Sequence, residues 1–500
     1  MFGQSKVPVN ALSNADNIRG CWISYLDIET RLKDLSEEEF ETEVINMYNK
    51  VLENNLNTVI VQVRTMGDAI YPSQYFPWSN YISTDRKAPS YDPLEIMINI
   101  AKKMRLRFEA WINPYRISLN TTGTNSFKGT KYYDLYKHHI MEYSNANGET
   151  CICFDPSKEE TIELISNGVK EIVEKYDIDG IHFDDYFYVS GMANELEENQ
   201  KKEYVNQMVK KVYDTVKETD VSCEFGISPA GNLDNARSQG ADIDTWLSVE
   251  GYIDYIMPQI YWTDMFVTEE GNKTMFTDRC KEWMEINILD LPIYIGLALY
   301  RVGENSSTDI GWSIKDVNLK EQYETALDIG CDGYVLFRYE WLEKELSNNE
   351  LNNLLSYVNG MFVYSYLQNS YISYTVCGEN KDWSDAKKDG ITAKSEGAPL
   401  WGIVINLGEK VEDGYVIYRT QHSDYTYSPW CPDGTLCYDG KNITNVQIML
   451  KGEVSKEYDV YYRCKLFDYG WTSWVSNGML PLENNQLNVE GIQIKMIKKT

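Results

Sequence analysis

Between residues 19 and 339 the sequence alternates eight times between a short β-type run and an amphipathic stretch at helical spacing. The β-type runs are Arg19–Tyr25, Thr58–Arg64, Arg107–Asn113, Ile178–Asp184, Cys223–Ser228, Asp254–Tyr261, Ile293–Leu299 and Gly333–Arg338. Helical patterns fit between them: Ser36–Glu53 with a Ser-x-x-Glu capping box, Asp92–Met104, Pro156–Tyr176, about Asn194–Lys217, Thr245–Tyr252, about Thr277–Asn287 and Lys315–Ile329. A closing helix is expected from Glu340 to about Val358. Strand alternating with helix eight times predicts an α/β chain built as a (β/α)8 TIM barrel.

Such a barrel does its chemistry where strands end, so the residues there are informative. They are Asp27, Arg64 with Asp68, Asn113 with Arg116, Asp184 with Asp185, Ser228, Gln259 with Tyr261 and Trp262, Tyr300 with Arg301, and Arg338 with Glu340. The richest stretch is Ile178-Asp179-Gly180-Ile181-His182-Phe183-Asp184-Asp185-Tyr186-Phe187-Tyr188. Along a strand, His182, Asp184 and Tyr186 share one face while Ile181, Phe183 and Asp185 share the other. Carboxylates at the end of a buried strand are costly to desolvate, which points to a working edge. Long insertions, Asn120–Cys153 and Tyr188–Gln200, follow the third and fourth strands and are expected to overhang the same rim.

From Tyr364 onward the texture changes to short aromatic-rich strands broken by Gly, Asn and Asp. Tyr374, Tyr418 and Tyr462 recur at a spacing of 44 residues, and Gly390, Gly434 and Gly478 follow them in register. So do Trp383-Ser384, Tyr427-Ser428 and Trp471-Thr472, and each unit closes on apolar alternation at Ile403–Ile405, Val446–Ile448 or Ile492–Ile494. Three such units are expected to close on one another as a β-prism or β-trefoil. The domain plan is therefore a tail at 1–16, a barrel at 17–362 and a smaller all-β accessory domain at 363–500.

With 76 acidic against 47 basic residues, a net charge of −29, the surface repels phosphate backbones and anionic bilayers, so nucleic acid is not an expected partner. No run of eighteen apolar residues offers a membrane span. Met1-Phe2-Gly3-Gln4 lacks a basic segment followed by an apolar one, leaving a cytosolic protein or one whose export signal has been removed. Ten scattered cysteines read as mostly buried thiols, and four histidines, two of them the adjacent His138 and His139, argue against a zinc site. No metal or cofactor is expected.

The segments Arg19-Gly20-Cys21-Trp22, Gln62-Val63-Arg64, Gly67-Asp68-Ala69-Ile70-Tyr71-Pro72-Ser73, Ala110-Trp111-Ile112-Asn113-Pro114-Tyr115-Arg116, Gly226-Ile227-Ser228-Pro229 and Asp254–Trp262 occur in the order of a known pattern. Over about residues 17–360 the chain resembles the bacterial glycosyl-hydrolase-like family 10. One departure is Glu109, which stands where that family often has His. The C-terminal units resemble, less completely, the tryptophan-containing repeats of clostridial surface proteins, known as hydrophobic-W repeats; only the third keeps both tryptophans, Trp471 and Trp474. The resemblance implies an extracellular or surface-bound hydrolase of oligo- or polysaccharides, with peptide-free peptidoglycan strands a plausible substrate and a wall polymer or surface protein as partner of 363–500.

Cleaving a glycosidic bond takes one carboxyl group kept protonated and one ionised. Asp184 is the first candidate, held and tuned by His182 on its own face, with Asp185, Glu340, Asp68 and Glu109 competing to be the second. The spacing of His182, Asp184 and Tyr186 resembles the signature strand of chitinases, although Tyr186 stands where their acid would be. Arg64, Arg116 and Arg338 suit a sugar carboxylate such as the lactyl group of muramic acid, or else pair with the rim aspartates. Trp111, Tyr261 and Trp262 are candidates to stack on sugar faces, beside Asn113 and Gln259 as hydrogen-bonding groups. The competing reading is a non-catalytic glycan-binding or scaffold protein with a degenerate barrel site.

Overall fold

The computed structural model describes residues 17–499 apart from 369–370, 380–382, 396, 409–410, 412, 439, 468 and 484–485. The chain divides into two compact units at Tyr357/Val358. In the first, eight strands form one parallel sheet: β1 (Arg19–Ile23), β2 (Thr58–Arg64), β3 (Arg107–Ile112), β4 (Gly180–Phe183), β5 (Glu224–Ile227), β6 (Tyr255–Ile256), β7 (Tyr294–Leu297) and β8 (Gly333–Leu336). Their order is β7-β8-β1-β2-β3-β4-β5-β6. The ring is nearly closed, since β6 and β7 meet through the single parallel bridges Ile256–Ile293 and Gln259–Gly296.

All seven residues of β2 are buried, as a strand covered on both faces requires. Trp22, Ile60, Trp111, Tyr255, Met257, Tyr294 and Val335 fill the interior. Gly226 on β5 makes room there, because a Cβ at that position would lie 2.0 Å from the Tyr255 ring. Helices cover the outside, and the first long one, Glu37–Glu53, starts where expected. Ser36 and Glu39 bond each other's backbone amides, and Phe40, Val44, Met47, Tyr48 and Val51 face inward.

Two expected helices differ. Over Thr245–Tyr252 only the short helix Ile243–Trp246 forms, and Gly251 adopts φ 92°, outside the helical region. The closing helix is Asn348–Gln368, starting later than Glu340, because the stretch after β8 is pinned by the Glu340 amide donating to Asp27 Oδ1 at 3.0 Å. After β3 the insertion folds into helices Thr121–Lys128 and Lys131–Tyr136 and a hairpin pairing Ile140–Ser144 with Thr150–Phe154. Among the described residues no helix is long and apolar enough to cross a membrane.

The second unit is all-β in its sheets. Six longer strands form three antiparallel pairs: β9 (Ile372–Gly378) with β10 (Leu400–Leu407), β11 (Tyr415–His422) with β12 (Ile443–Lys451), and β13 (Tyr458–Leu466) with β14 (Val489–Lys498). Each pair belongs to a different sheet. The Tyr374, Tyr418 and Tyr462 hydroxyls donate to the carbonyls of Ile391, Thr435 and Met479 respectively, each 17 residues onward. The amides of Gly390, Gly434 and Gly478 then reach across to a different pair, donating to the carbonyls of Ile494, Ile405 and Ile448. With φ of 91°, 70° and 87°, these three positions need glycine. Each pair thus hands its connecting segment to another, and the handing-over runs round a closed circle.

Candidate active site

A cavity of about 320 Å³ opens where the barrel strands end, lined by Trp22, Tyr25, Gln62, Trp111, Arg116, Asp184, Asp185, Tyr186, Gln259, Tyr261, Phe337 and Arg338 among others. Strand β4 supplies its acids. Its ladder stops at Phe183, whose carbonyl accepts from the Ser228 amide at 2.8 Å, and the chain then turns as the Phe187 amide bonds Asp185 O at 3.0 Å. Strict alternation would send Asp185 away from Asp184; the turn brings both carboxyls to one cavity.

Asp184 is 4 % exposed and richly held. Trp111 Nε1 donates to its Oδ2 at 3.2 Å, Asn113 Nδ2 donates to the same oxygen, and the Tyr186 amide donates to Oδ1 at 3.2 Å. Burial raises its pKa while the Arg116 charge and these donors pull it back down. Asp185 is raised to about 7, by burial first and then by the negative charge of Asp184, against a hydrogen bond from Gln259. Two acids this close favour a state in which one keeps its proton. Arg116 donates through Nη2 to Asn113 Oδ1 at 2.5 Å and through Nε to Thr65 O at 3.1 Å, and its guanidinium lies 4.5 Å from the Tyr186 ring centroid.

Under the floor, His182 does not hold Asp184, contrary to expectation. Its Nε2 accepts from Trp22 Nε1 at 3.3 Å and its Nδ1 faces the Tyr255 hydroxyl at 3.0 Å, so both nitrogens are occupied. Burial pushes its pKa down to about 3, leaving a neutral ring. Tyr255 donates to Glu109 Oε2 at 2.6 Å, and Arg107 Nε donates to Glu109 Oε1 at 2.8 Å. Glu109 is thereby committed within the barrel interior and does not line the cavity.

Several rim candidates also lie elsewhere. Arg64 is fully buried with its guanidinium 3.8 Å from the Phe76 ring centroid, and a Cβ on Gly168 of the helix Glu159–Lys175 would sit 2.8 Å from its Nη1. It points outward to the helix layer because the β2–β3 register shifts between Gln62 and Arg64, a bulge that reverses the side-chain alternation. Asp68 accepts from the Thr65 and Met66 amides and lies in an adjoining depression of about 640 Å³ that shares Tyr25, Leu26 and Leu119 with the cavity. Glu340 does not line the cavity either; it is two-fifths exposed and ion-paired to Arg338 and Lys344, and the hydrogen bond from Lys344, then the Arg338 charge, holds its pKa low. Arg338 stays at the mouth, bonded to Asp27 Oδ1 at 2.6 Å. Trp262 is outside the lining, with its carbonyl accepting from Gln322.

Trp22, Tyr25, Gln62 and Phe337 line the cavity without having been singled out as site residues. Gln62 had a readable signal, an amide inside the apolar run Thr-Val-Ile-Val-Gln-Val. Its Nε2 donates to Asn113 Oδ1 and its Oε1 accepts from the Tyr25 amide at 2.9 Å. A second depression of about 640 Å³, between the helices Glu159–Lys175 and Glu198–Thr219, is lined by Glu163, Lys170, Glu174, Lys211 and Glu218 and shows no comparable convergence of buried acids and aromatic rings.

Residues 17–203 and 193–314 match the sequence model of a family described as Glycosyl hydrolase-like 10. Glycosyl hydrolase YngK of Bacillus subtilis (strain 168) is 33 % identical over 362 residues, covering 64 % of this chain and 68 % of that protein. Glycosyl hydrolase DigH of Escherichia coli (strain K12) is 28 % identical over 401 residues, covering 70 % and 90 %. Among solved structures, alpha-L-fucosidase isoenzyme 2 from Paenibacillus thiaminolyticus overlays 72 % of this chain and 51 % of its own length at 12 % identity and TM-score 0.45, a likeness too loose to argue from. The family match and the relatives support a glycoside hydrolase-type role with a carbohydrate ligand, and the chain belongs to the glycosyl hydrolase-like 10 family.

Proposed function

We propose that the protein is a glycoside hydrolase of bacterial cell-wall or related glycans, with peptide-free peptidoglycan strands the leading substrate and Asp184 and Asp185 the working pair. The observation that carries this reading is that two neighbouring acids, Asp184 buried and Asp185 half-buried, share one aromatic-floored cavity and the second is raised to about 7. Donors from Trp111, Asn113 and the Tyr186 amide favour the ionised form of Asp184. Asp185, protonated near neutrality, gives its proton to the departing glycosidic oxygen as the bond to the anomeric carbon breaks. Asp184 stabilises the positive charge that builds on that carbon. A water molecule then adds to it after the leaving group has gone, and Asp185 takes up the proton that the water gives up, restoring the pair.

Trp22, Trp111 and Phe337 offer apolar faces for sugar rings. The Tyr261 hydroxyl, buried with no partner among the described residues, is left to a sugar hydroxyl. Arg116, whose Nε and Nη2 bond neutral acceptors, puts a cation in the lining, a match for the lactyl carboxylate of muramic acid, whereas Arg338 is already paired with Asp27 and Glu340. Residues 17–362 act as the catalytic domain of an extracellular or surface protein. Residues 363–500 act as three copies of one unit around a pseudo-threefold axis, nearer a β-prism than a trefoil because the three strand pairs belong to three sheets, and they bind a wall polymer or a surface protein.

Reducing ends released from peptide-free strands, scored across a panel of polysaccharides, test the activity. The expected result is release by the wild type and none by Asp184→Asn with its fold intact; binding without product in the wild type would sink the hydrolase reading in favour of a glycan-binding scaffold.

A further inference from the structure

The second unit carries a side-chain cluster that is built twice and missing once. Arg419 lies between two rings, its Cζ 4.1 Å from the Tyr427 centroid and 4.6 Å from that of Trp430. Arg463 repeats the arrangement 44 residues later, 4.6 Å from Trp471 and 4.8 Å from Trp474. In both, Nε donates at 2.8 Å to a glutamine on the partner strand, Gln447 or Gln493. Each glutamine is itself fixed: Gln447 Nε2 donates to Gly478 O at 2.7 Å and Gln493 Nε2 to Thr392 Oγ1 at 2.8 Å.

At the matching places of the first pair stand Thr375, Trp383, Ala386 and Val404. Arginine, glutamine and one aromatic are thus absent together. That pair nevertheless keeps its buried tyrosine, the tyrosine's bond to a carbonyl and its strand ladder. The cluster is therefore not what the fold needs, since a pair forms without it. What remains is recognition. With two rings packed against it and Nε tied back, each guanidinium has only its two Nη nitrogens left, and these have no partner among the described residues and are not sealed from solvent. A planar fork held rigid in this way matches a two-oxygen anion approaching in its plane. Around Arg419 the rings are open to solvent, Tyr427 and Trp430 each 37 % exposed, and suit the apolar face of a sugar. Around Arg463, Trp471 and Trp474 are half-buried and Lys495 Nζ lies 4.4 Å from the Trp474 centroid, adding a second cation.

We propose that Arg419 and Arg463 are the centres of two similarly built sites for carboxylate-bearing sugar residues of a glycan. The choice of sugar rests on the wall-glycan reading above; the sites do not depend on the barrel's chemistry. The test uses the full chain carrying Asp184→Asn, so that ligand survives, titrated calorimetrically with oligosaccharides of alternating N-acetylglucosamine and N-acetylmuramic acid. Adding Arg419→Lys and Arg463→Lys keeps the charge beside the rings but removes the planar fork. The expected result is the loss of two sites per chain, or an affinity for them weaker by about tenfold or more, with melting unchanged, and the same loss when carboxyl-reduced oligosaccharides meet the unaltered arginines. Unchanged stoichiometry and affinity in the lysine variant overturns the proposal, as does equal binding of the reduced sugars. A glycerol-phosphate polymer taking the two sites in preference overturns the assignment to carboxylates. If the wild type cleaves no glycan yet the lysine variant loses both sites, the hydrolase reading falls alone; if it cleaves and the variant binds normally, these sites fall alone.

Discussion

Glu109, His182, Gln62, Asn113 and Asp184 sit at the heart of the barrel with almost no solvent contact. The core cluster of the second unit is instead built from Ile, Val, Leu, an alanine and two thiols, with three tyrosines whose hydroxyls are all committed to carbonyls. Both interiors are packed, but a polar group inside one costs stability unless something answers it. In the barrel the answer is a network leading to two acids; in the second unit buried polar groups such as His422, Thr444 and Asn445 are answered by backbone carbonyls and lie outside the apolar cluster. On the proposed reading, the difference separates what each interior is for: one holds a pair of acids ready for chemistry, the other holds a shape.

Substitutions should therefore act on different quantities in the two places. The largest effect expected is on rate: Asp184→Asn lowers glycan cleavage by about a thousandfold or more, while calorimetric melting of the barrel stays level or rises because a buried acid has been neutralised. Next is Ile448→Ala in the second unit, which leaves a cavity and costs about 2–5 kcal/mol of that unit's stability with kcat on a small soluble oligosaccharide unchanged. A rate loss there would break the contrast.

Asp185 yields a pH signature of intermediate size. Its pKa rises from an ordinary 3.8 to about 7 on folding, so between those values the folded chain holds a proton that the unfolded chain has released. Its contribution to stability is thus full below about pH 4 and is lost as pH rises through about 7, and activity should decline over the upper end of the same window. Asp185→Asn is expected to flatten the stability profile, raise melting at alkaline pH and abolish cleavage; a profile unaltered by that substitution would contradict the assignment. Tyr255→Phe gives the smallest change. It removes one donor to Glu109 and the partner of His182 Nδ1, for about 1–3 kcal/mol by denaturant titration.

Much of the barrel was legible because local pattern and tertiary role agree. Ser36 and Glu39 cap the helix their spacing announces, and each expected strand run contains an observed strand, shortened at β6 to Tyr255–Ile256. Asp184 was legible for the same reason, a carboxylate where a buried strand runs out. Arg64 was not, because a one-residue bulge at Val63 turns its side chain to the opposite face and nothing in Thr-Val-Ile-Val-Gln-Val-Arg announces a bulge. His182 was half legible. That it shares a face with Asp184 follows from alternation, but that Trp22 and Tyr255 claim its nitrogens depends on strands 160 and 73 residues away. Trp22 and Phe337 escaped for a similar reason, since an aromatic in a barrel strand has the same local signature whether it packs the interior or floors a cavity.

The circular exchange among the three strand pairs bears on how the second unit came to be and how it fails. Because Gly390, Gly434 and Gly478 each dock on a pair other than their own, excising one pair strips a neighbour of its docked segment and bares strand edges that invite intermolecular pairing. Shortening this part of the chain by a single copy should produce aggregates rather than a smaller soluble module, and its thermal transition should be all-or-none rather than stepwise.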